Sequence, residues 1–210
     1  MTYTINNCDQ GTDEWLAARK GKLTASRADE IITPTGKLSS GARKLMIKLT
    51  CECIIDDPQE FAGNAATQWG HAHEPIARDE FTERTGYAVE TVGMLQSTLS
   101  PCLACSPDGL FIVSDVIHGL EIKCPSVDTH CEYVIDGQLP AKYRPQVHFS
   151  MAITGIRTWY FMSYFPADGI KQLILPVHWD EYTDKMQAAA LAFAKEYEVE
   201  MPKILNAIRP

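Results

Sequence analysis

Residues 104–125 read Ala-Cys-Ser-Pro-Asp-Gly-Leu-Phe-Ile-Val-Ser-Asp-Val-Ile-His-Gly-Leu-Glu-Ile-Lys-Cys-Pro, two apolar runs divided by a polar break. Residues 109–113 and 120–124 have the β-branched or alternating apolar character of short strands. Side chains at i and i+2 of a strand share a face, so Glu121 and Lys123 point one way while Ile122 points into the core. Asp108 stands just before the first strand. If the two strands pair as neighbours through a loop at 114–119, two carboxylates and an ammonium converge on one point.

Two close carboxylates repel, and one takes up a proton unless a cation lies between them. Mg²⁺ suits such a group: it is hard, prefers oxygen, and is commonly held by one or two carboxylates plus waters and phosphate oxygens. The backbone carbonyl of Ile122, between the two side chains, can supply another oxygen. Phosphodiester hydrolysis needs a nucleophilic water, neutralised charge on the phosphoryl oxygens and help for the leaving oxygen, and a metal serves the first two and can serve the third. Lys123 can orient or deprotonate the water, or stabilise the transition state as a point charge. Taken alone, these residues also fit a turn followed by a solvent-facing edge strand.

The rest of the chain bounds what can surround that group. Its 210 residues are 45% hydrophobic, 9% aromatic and 22% charged, an ordinary globular composition. One domain over 1–210 is expected, and a chain of this size buries roughly 70% of its unfolded surface. No stretch approaches the roughly 18 apolar residues of a membrane span, and the N-terminus lacks the basic and apolar regions of a secretion signal. Cysteines at 8, 51, 53, 102, 105, 124 and 131 make an odd number and point to reduced thiols, hence to the cytoplasm. A net charge of -8 argues against a polyanionic partner. The charge is segregated, however. Residues 19–48 hold eight Lys/Arg (19, 20, 22, 27, 37, 43, 44, 48) against Asp29 and Glu30, while 180–200 hold six acids against Lys185 and Lys195.

Periodicity predicts helices over 12–19, with Trp15 and Leu16 inward, and 41–55, with Leu45, Ile47, Leu49 and Ile54 as apolar positions. Ser26-Arg-Ala-Asp29 reads as a capping box opening a helix that carries Ile31 and Ile32. A further helix spans 65–85, with Pro75 kinking it or opening a new turn, and others span 140–154 and 180–207. Strands are expected at 87–95, 109–113 and 120–124, and 156–165 and 170–177 form a hairpin turned at 166–169. Helices, a mixed sheet and helices again imply an α/β or α+β fold, with a central mixed sheet flanked by helices.

The blocks Ala-Cys-Ser-Pro-Asp-Gly-Leu110 and Gly-Leu-Glu-Ile-Lys-Cys-Pro125 resemble those of the PD-(D/E)xK nucleases of the lambda-exonuclease, YqaJ-like viral recombinase family. Gln10-Gly-Thr-Asp-Glu-Trp15, Arg19-x-Gly21, Leu-Thr-Ala-Ser26, Trp69-Gly-x-x-x-Glu74 with Ala77-Arg78 and Phe81, Gln146-Val-x-x-Ser150-Met and Trp159-Tyr-Phe follow in the family's order. The resemblance implies a restriction-endonuclease-like core, with Asp108, Glu121 and the Ile122 carbonyl as metal ligands and Lys123 as the catalytic lysine. Glu74 would complete the acidic site, Gln146 would contact the scissile region, and Tyr143 would line the groove. Arg19 and Ser26 match residues at the 5′-terminal phosphate, a role that suits a bidentate guanidinium and a helix N-terminus. A further family arginine falls near Thr35, where Lys37 and Arg27 are the nearest basic residues, and another falls near Thr129.

The family also implies a Mg²⁺-dependent 5′-to-3′ exodeoxyribonuclease on double-stranded DNA ends, with Mn²⁺ able to substitute. It releases 5′-mononucleotides and works as a homotrimer ring with a single-strand-annealing recombinase, in a bacterial cell and encoded by a phage or prophage. Such a ring would turn the basic N-terminal part inward and the acidic C-terminal helix outward. The rival readings are an endonuclease of the same fold without end preference, and a non-catalytic DNA-binding or zinc module built on Cys102, Cys105, Cys124 and Cys131. His71-x-His73 is poorly spaced for a helical metal pair, and the aromatic run from Trp159 to Phe165 fits sheet packing better than base stacking.

Overall fold

The computed structural model describes residues 2–55 and 65–209; the expected single domain also takes in Met1, 56–64 and Pro210, which lie outside them. Eight strands form two mixed four-stranded sheets. The first contains β1 (Tyr3–Asn6), β2 (Leu23–Thr24), β3 (Met94–Ser97) and β4 (Leu103–Cys105), in the order β1-β3-β4-β2. The second contains β5 (Gly109–Val113), β6 (Val116–Lys123), β7 (Thr158–Ser163) and β8 (Leu173–His178), in sequence order. Strand β6 pairs antiparallel with β5 and parallel with β7, so it lies inside the sheet with its backbone bonded on both edges.

The β5–β6 hairpin closes more tightly than a six-residue loop. Val113 pairs with Val116, leaving Ser114 (φ 49°) and Asp115 (φ 63°) as a two-residue turn. Both central residues have positive φ, the sign pattern of the type I′ turns that match strand twist, and Asp tolerates that conformation. Strand β6 therefore starts at Val116, and Gly119 falls within it rather than in a loop. The bare Cα of Gly119 lies against the indole of fully buried Trp159: an added Cβ would meet three ring atoms at 2.4 Å.

Helices close both faces. Helix α1 (Asp13–Arg19) is capped by the Thr12 side chain, which accepts from the Trp15 amide, and the chain reverses at Gly21 (φ +69°). Helix α2 (Ala42–Glu52) buries Leu45 and Leu49 but leaves Ile47 exposed, and it ends before Ile54, which is exposed too. Helix α3 (Ala65–Thr85) stays helical through Pro75 and lays Ala77 and Phe81 on Phe111, Leu120 and Ile122 of the second sheet. Next come α4 (Val127–Asp136) and α5 (Arg144–Thr154), which takes Pro145 in its first turn, where no amide donor is missed. Helix α6 (Glu181–Ile208) opens with a capping box between Asp180 and Thr183 and packs on α2 and α5. The main apolar cluster takes Leu23, Leu95 and Leu103 from the first sheet, Leu110, Trp159 and Phe161 from the second, and Val147, Phe149, Met151, Ala152 and Ile153 from α5.

Two further local expectations fail. Residues 87–93 are not a strand: Glu90 makes one isolated bridge to Leu110, and pairing starts at Met94. The apolar residues there pack without forming a ladder, as when Tyr87 stacks on Phe111 at 5.2 Å. The Ser26 capping box is also absent. Residues Ala25–Glu30 form a 3-10 helix with Thr24 at its N-cap, no side-chain cap bond, and Ser26 inside it. A capping box works through Glu or Gln at its fourth position, whereas Asp29 is shorter. Ile31 and Ile32 are nevertheless buried as expected.

Candidate active site

A cleft of about 760 Å³ is lined by all nine residues to which the resemblance assigns a metal, catalytic or DNA-binding role: Arg19, Ser26, Glu74, Asp108, Glu121, Ile122, Lys123, Tyr143 and Gln146. Asp108 is fixed by the hairpin itself. Its amide donates to the Leu120 carbonyl (3.0 Å), and its Oδ2 accepts from the Ile122 amide (2.5 Å). Strand β5 begins at Gly109 opposite Leu120, so the edge of β6 beyond Leu120 is left to Asp108. The N–H and C=O of one strand residue face the same neighbour, which turns the Ile122 carbonyl towards Asp108. The Ile122 side chain is in the core, as alternation requires.

Glu121 is 2% exposed, and its Oε1 accepts from Lys123 Nζ (2.6 Å) and Gln146 Nε2 (2.5 Å). Helix α5, in the crossover between the parallel strands β6 and β7, brings Gln146 to it. Burial, then the neighbouring charge of Glu74, pushes the Asp108 carboxyl up to about 7, against the pull of Lys123 and the Ile122 amide. Burial also pushes Glu121 up to about 7 despite Lys123. For Lys123, burial favours the neutral amine, but Glu121 and Asp108 together outweigh it and raise the ammonium's pKa. The ammonium lies 5.3 Å from the centre of the Tyr143 ring. Glu74, on α3, is raised by burial and bonded through Oε1 to Arg78 Nη2 (2.5 Å).

The donors facing this point are hard oxygens, and burial makes their carboxyls resist ionisation despite the nearby Lys123 and Arg78. Both facts fit a divalent cation. Among the described residues no three His, Cys, Asp or Glu side chains are grouped to hold one ion. Mg²⁺, which needs one or two carboxylates and keeps its waters, suits such a site, whereas a four-ligand structural Zn²⁺ does not. Cys105 and Cys124 are also poor thiolates, burial raising each to about 12. His71 lines the cleft, while His73 is turned to the Trp69 carbonyl (2.8 Å) with its ring tilted against that indole.

Arg19 gives another part of the cleft a positive charge. Arg19 lies over the Trp15 ring at 4.2 Å and donates to Ser106 Oγ (3.2 Å) and Thr24 Oγ1 (3.3 Å). Burial, and then Arg27, lowers its pKa to about 10, which leaves it charged at neutral pH. Trp15 Nε1 donates to the same Ser106 hydroxyl (3.0 Å), and Ser26 is exposed with its hydroxyl 3.3 Å from Thr24 Oγ1. Ser26 thus faces the cleft from inside its helix rather than as the cap. Arg27 is paired with Glu52 at 2.6 Å and does not line the cleft, and Thr35 bonds to Thr33. Thr129 lines the cleft.

Sequence reasoning missed Trp15, Thr24, Ser106 and Lys142 as cleft neighbours. The i,i+4 spacing of Trp15 and Arg19 was a readable signal for the stack. Lys142, whose ammonium lies 4.9 Å from the centre of the Tyr143 ring, carried no such signal.

Residues 14–157 match the model of a YqaJ-like viral recombinase domain. An alkaline exonuclease from Laribacter hongkongensis superposes with a TM-score of 0.79 at 30% identity, covering 93% of this chain and 97% of that one. The same exonuclease in complex with dAMP gives 0.77 at 30% identity over the same shares. A phage-related exonuclease from Haemophilus somnus 129PT shares the fold, with a TM-score of 0.63 at 16% identity over 87% of this chain and 96% of that one. No curated protein sequence matches significantly.

Proposed function

Since the chain belongs to the YqaJ-like viral recombinase family, we propose that this DNA nuclease is a Mg²⁺-dependent exodeoxyribonuclease that digests one strand of duplex DNA from its 5′ end. It releases 5′-mononucleotides and leaves a 3′ single strand, and Mn²⁺ can replace Mg²⁺. The observation that carries the reading is the sharing of one cleft by the Asp108, Glu121 and Lys123 group and by Arg19. Hydrolytic residues and a guanidinium suited to a terminal phosphate then meet one DNA end.

Asp108, Glu121 and the Ile122 carbonyl would hold the ion, with Glu74 reaching it through water. When bound, the ion neutralises phosphoryl oxygens and lowers the pKa of a water. Gln146 and Lys123 hold Glu121 in place, and Lys123 adds positive charge near the phosphoryl group. Tyr143 walls the groove beside that ammonium. The oxygen of water bonds to phosphorus as the bond from phosphorus to the 3′ oxygen breaks, and the leaving oxygen takes a proton. The shortened strand carries the phosphate as its new 5′ end, which Arg19 and Ser26 receive in turn. One reaction cycle therefore regenerates its own recognition group.

In this reading the protein works in the bacterial cytoplasm as a homotrimer ring with a single-strand-annealing partner. No helix among the described residues is long and apolar enough to cross a membrane. Light scattering should return a trimer mass, and a stable monomer that digests processively would defeat the ring. The decisive test of the activity is a time course on linear duplexes with 5′-phosphate, 5′-hydroxyl or blocked ends, with and without Mg²⁺. Loss of the 5′-phosphorylated strand in Mg²⁺ alone is expected. Nicking of covalently closed circles would favour the endonuclease reading instead.

A further inference from the structure

Behind the acids lies a second opening of about 810 Å³. Gln10, His71, Glu74 and Asp108 line both it and the DNA cleft, so they form part of the wall between the two. Arg78 lines the second opening and not the DNA cleft. Its Nε donates to the Asp108 carbonyl (2.8 Å) and its Nη2 to Glu74 Oε1 (2.5 Å), with 17% of its side chain exposed. One guanidinium therefore ties helix α3 to the turn that carries Asp108. Gln10 backs the same turn, its Nε2 donating to the Pro107 and Val92 carbonyls at 2.8 Å each.

The rigid fork of a guanidinium fixes two acceptors at a set separation, which an ammonium cannot do. The first acceptor here is backbone, immobilised because the Asp108 amide and side chain are both bonded to β6. The second is a half-buried carboxylate on a helix whose own packing rests on Ala77 and Phe81. Without Arg78 the Glu74 carboxylate loses its paired cation and its fixed distance from Asp108.

We propose that Arg78 is a positioning residue: acting from outside the DNA cleft, it sets the separation of Asp108 and Glu74 and so the affinity of the site for divalent ions. The inference rests on the reading of Asp108 and Glu74 as ion-binding groups.

The test is calorimetric titration of the full-length protein with Ca²⁺, beside the Mg²⁺ dependence of DNA digestion, for wild type, Arg78→Ala and Arg78→Lys. Removing a group that orients a metal ligand typically costs about 10- to 100-fold in metal affinity or activity. Arg78→Ala should bind Ca²⁺ more weakly by that order and need correspondingly more Mg²⁺, with an unchanged KM for DNA ends and an unaltered circular dichroism spectrum. Arg78→Lys keeps a charge beside Glu74 but loses the second prong, so it should fall between the two. Should Arg78→Ala fail to fold, Arg78→Lys decides alone. Wild-type Ca²⁺ affinity and Mg²⁺ dependence in the folded variants would overturn the role of Arg78 while leaving the nuclease reading intact. A wild-type protein that neither binds Ca²⁺ nor digests DNA in Mg²⁺ would overturn both.

Discussion

Asp108, Glu121 and Lys123 come from one hairpin, whereas the basic end of the same cleft is gathered from α1, β2, the 3-10 helix and the approach to β5. At the acidic end the backbone does the placing: Asp108 is bonded to Leu120 and Ile122, and Glu121 and Lys123 follow from the register of β6. At the basic end side chains place one another, with Arg19 held by an indole and two neutral hydroxyls. On the proposed function, the contrast teaches that the backbones of Asp108, Glu121 and Lys123 are fixed by a ladder, with side chains such as Gln146 and Arg78 adjusting the carboxylates, whereas the end-recognition residues are placed by side chains alone.

Removing one acid tests the first half of that contrast most severely. Asp108→Ala or Glu121→Ala should lower digestion by on the order of a thousandfold while the denaturation midpoint and circular dichroism stay close to wild type. A variant that unfolds would mean the ladder does not place the acids by itself. Acidification asks instead whether both ends lean on one support. Helix α5 carries Gln146 to Glu121 and also packs on the 3-10 helix that holds Ser26. His148 in that helix is 3% exposed, and burial lowers its pKa to about 4 despite Asp180. The unfolded chain takes up this proton near pH 6.5 and the folded chain does not, so its contribution is complete above about pH 6.5 and is lost as the pH falls towards 4. Wild type should lose roughly 3 kcal/mol over that window relative to His148→Asn, read from urea midpoints at each pH. Parallel slopes in the two proteins would remove His148 from the account.

The basic end should respond more mildly. Arg19→Ala should cut the preference for 5′-phosphate over 5′-hydroxyl ends by roughly thirtyfold, equivalent to about 2 kcal/mol of charged hydrogen bonding. Arg19→Lys should recover part of it, because the charge survives but the fork does not. Equal use of both ends by wild type would separate Arg19 from end recognition altogether. Ser26→Ala is expected to have the smallest effect, about 1 kcal/mol for one hydroxyl contact, in the same competition between ends.

The same contrast explains what could be read from the residues alone. Asp108, Glu121 and Lys123 are legible because alternation on one strand and a Pro-Asp-Gly break are local patterns, whereas Glu74 and Gln146 are visible only through resemblance. The hairpin turn is not legible: Ser114-Asp115 lacks the Asn-Gly or Asp-Gly signature, so the apolar pattern alone places the start of β6 four residues late. Strands β1, β2 and β4 hold two to four residues each, too few for alternation to register, and exist through pairing with distant partners. Helix α4 does not emerge from the sequence pattern either. At the basic end Arg19 and Ser26 were visible only through resemblance, since Thr24 and Ser106 reach them through the fold. The bond of Arg78 to Glu74 was within reach, an i,i+4 pair on a helix that had been drawn correctly.

Gly119 gives the acidic end a mechanical reference. Two residues before Glu121, its naked α-carbon rests on a tryptophan that cannot retreat, so even a methyl group there would force β6 and β7 apart. The depth at which the carboxylate works is thus gauged by the thickness of an indole in the next strand, and a change invisible to any inspection of charged residues could throw the site out of alignment.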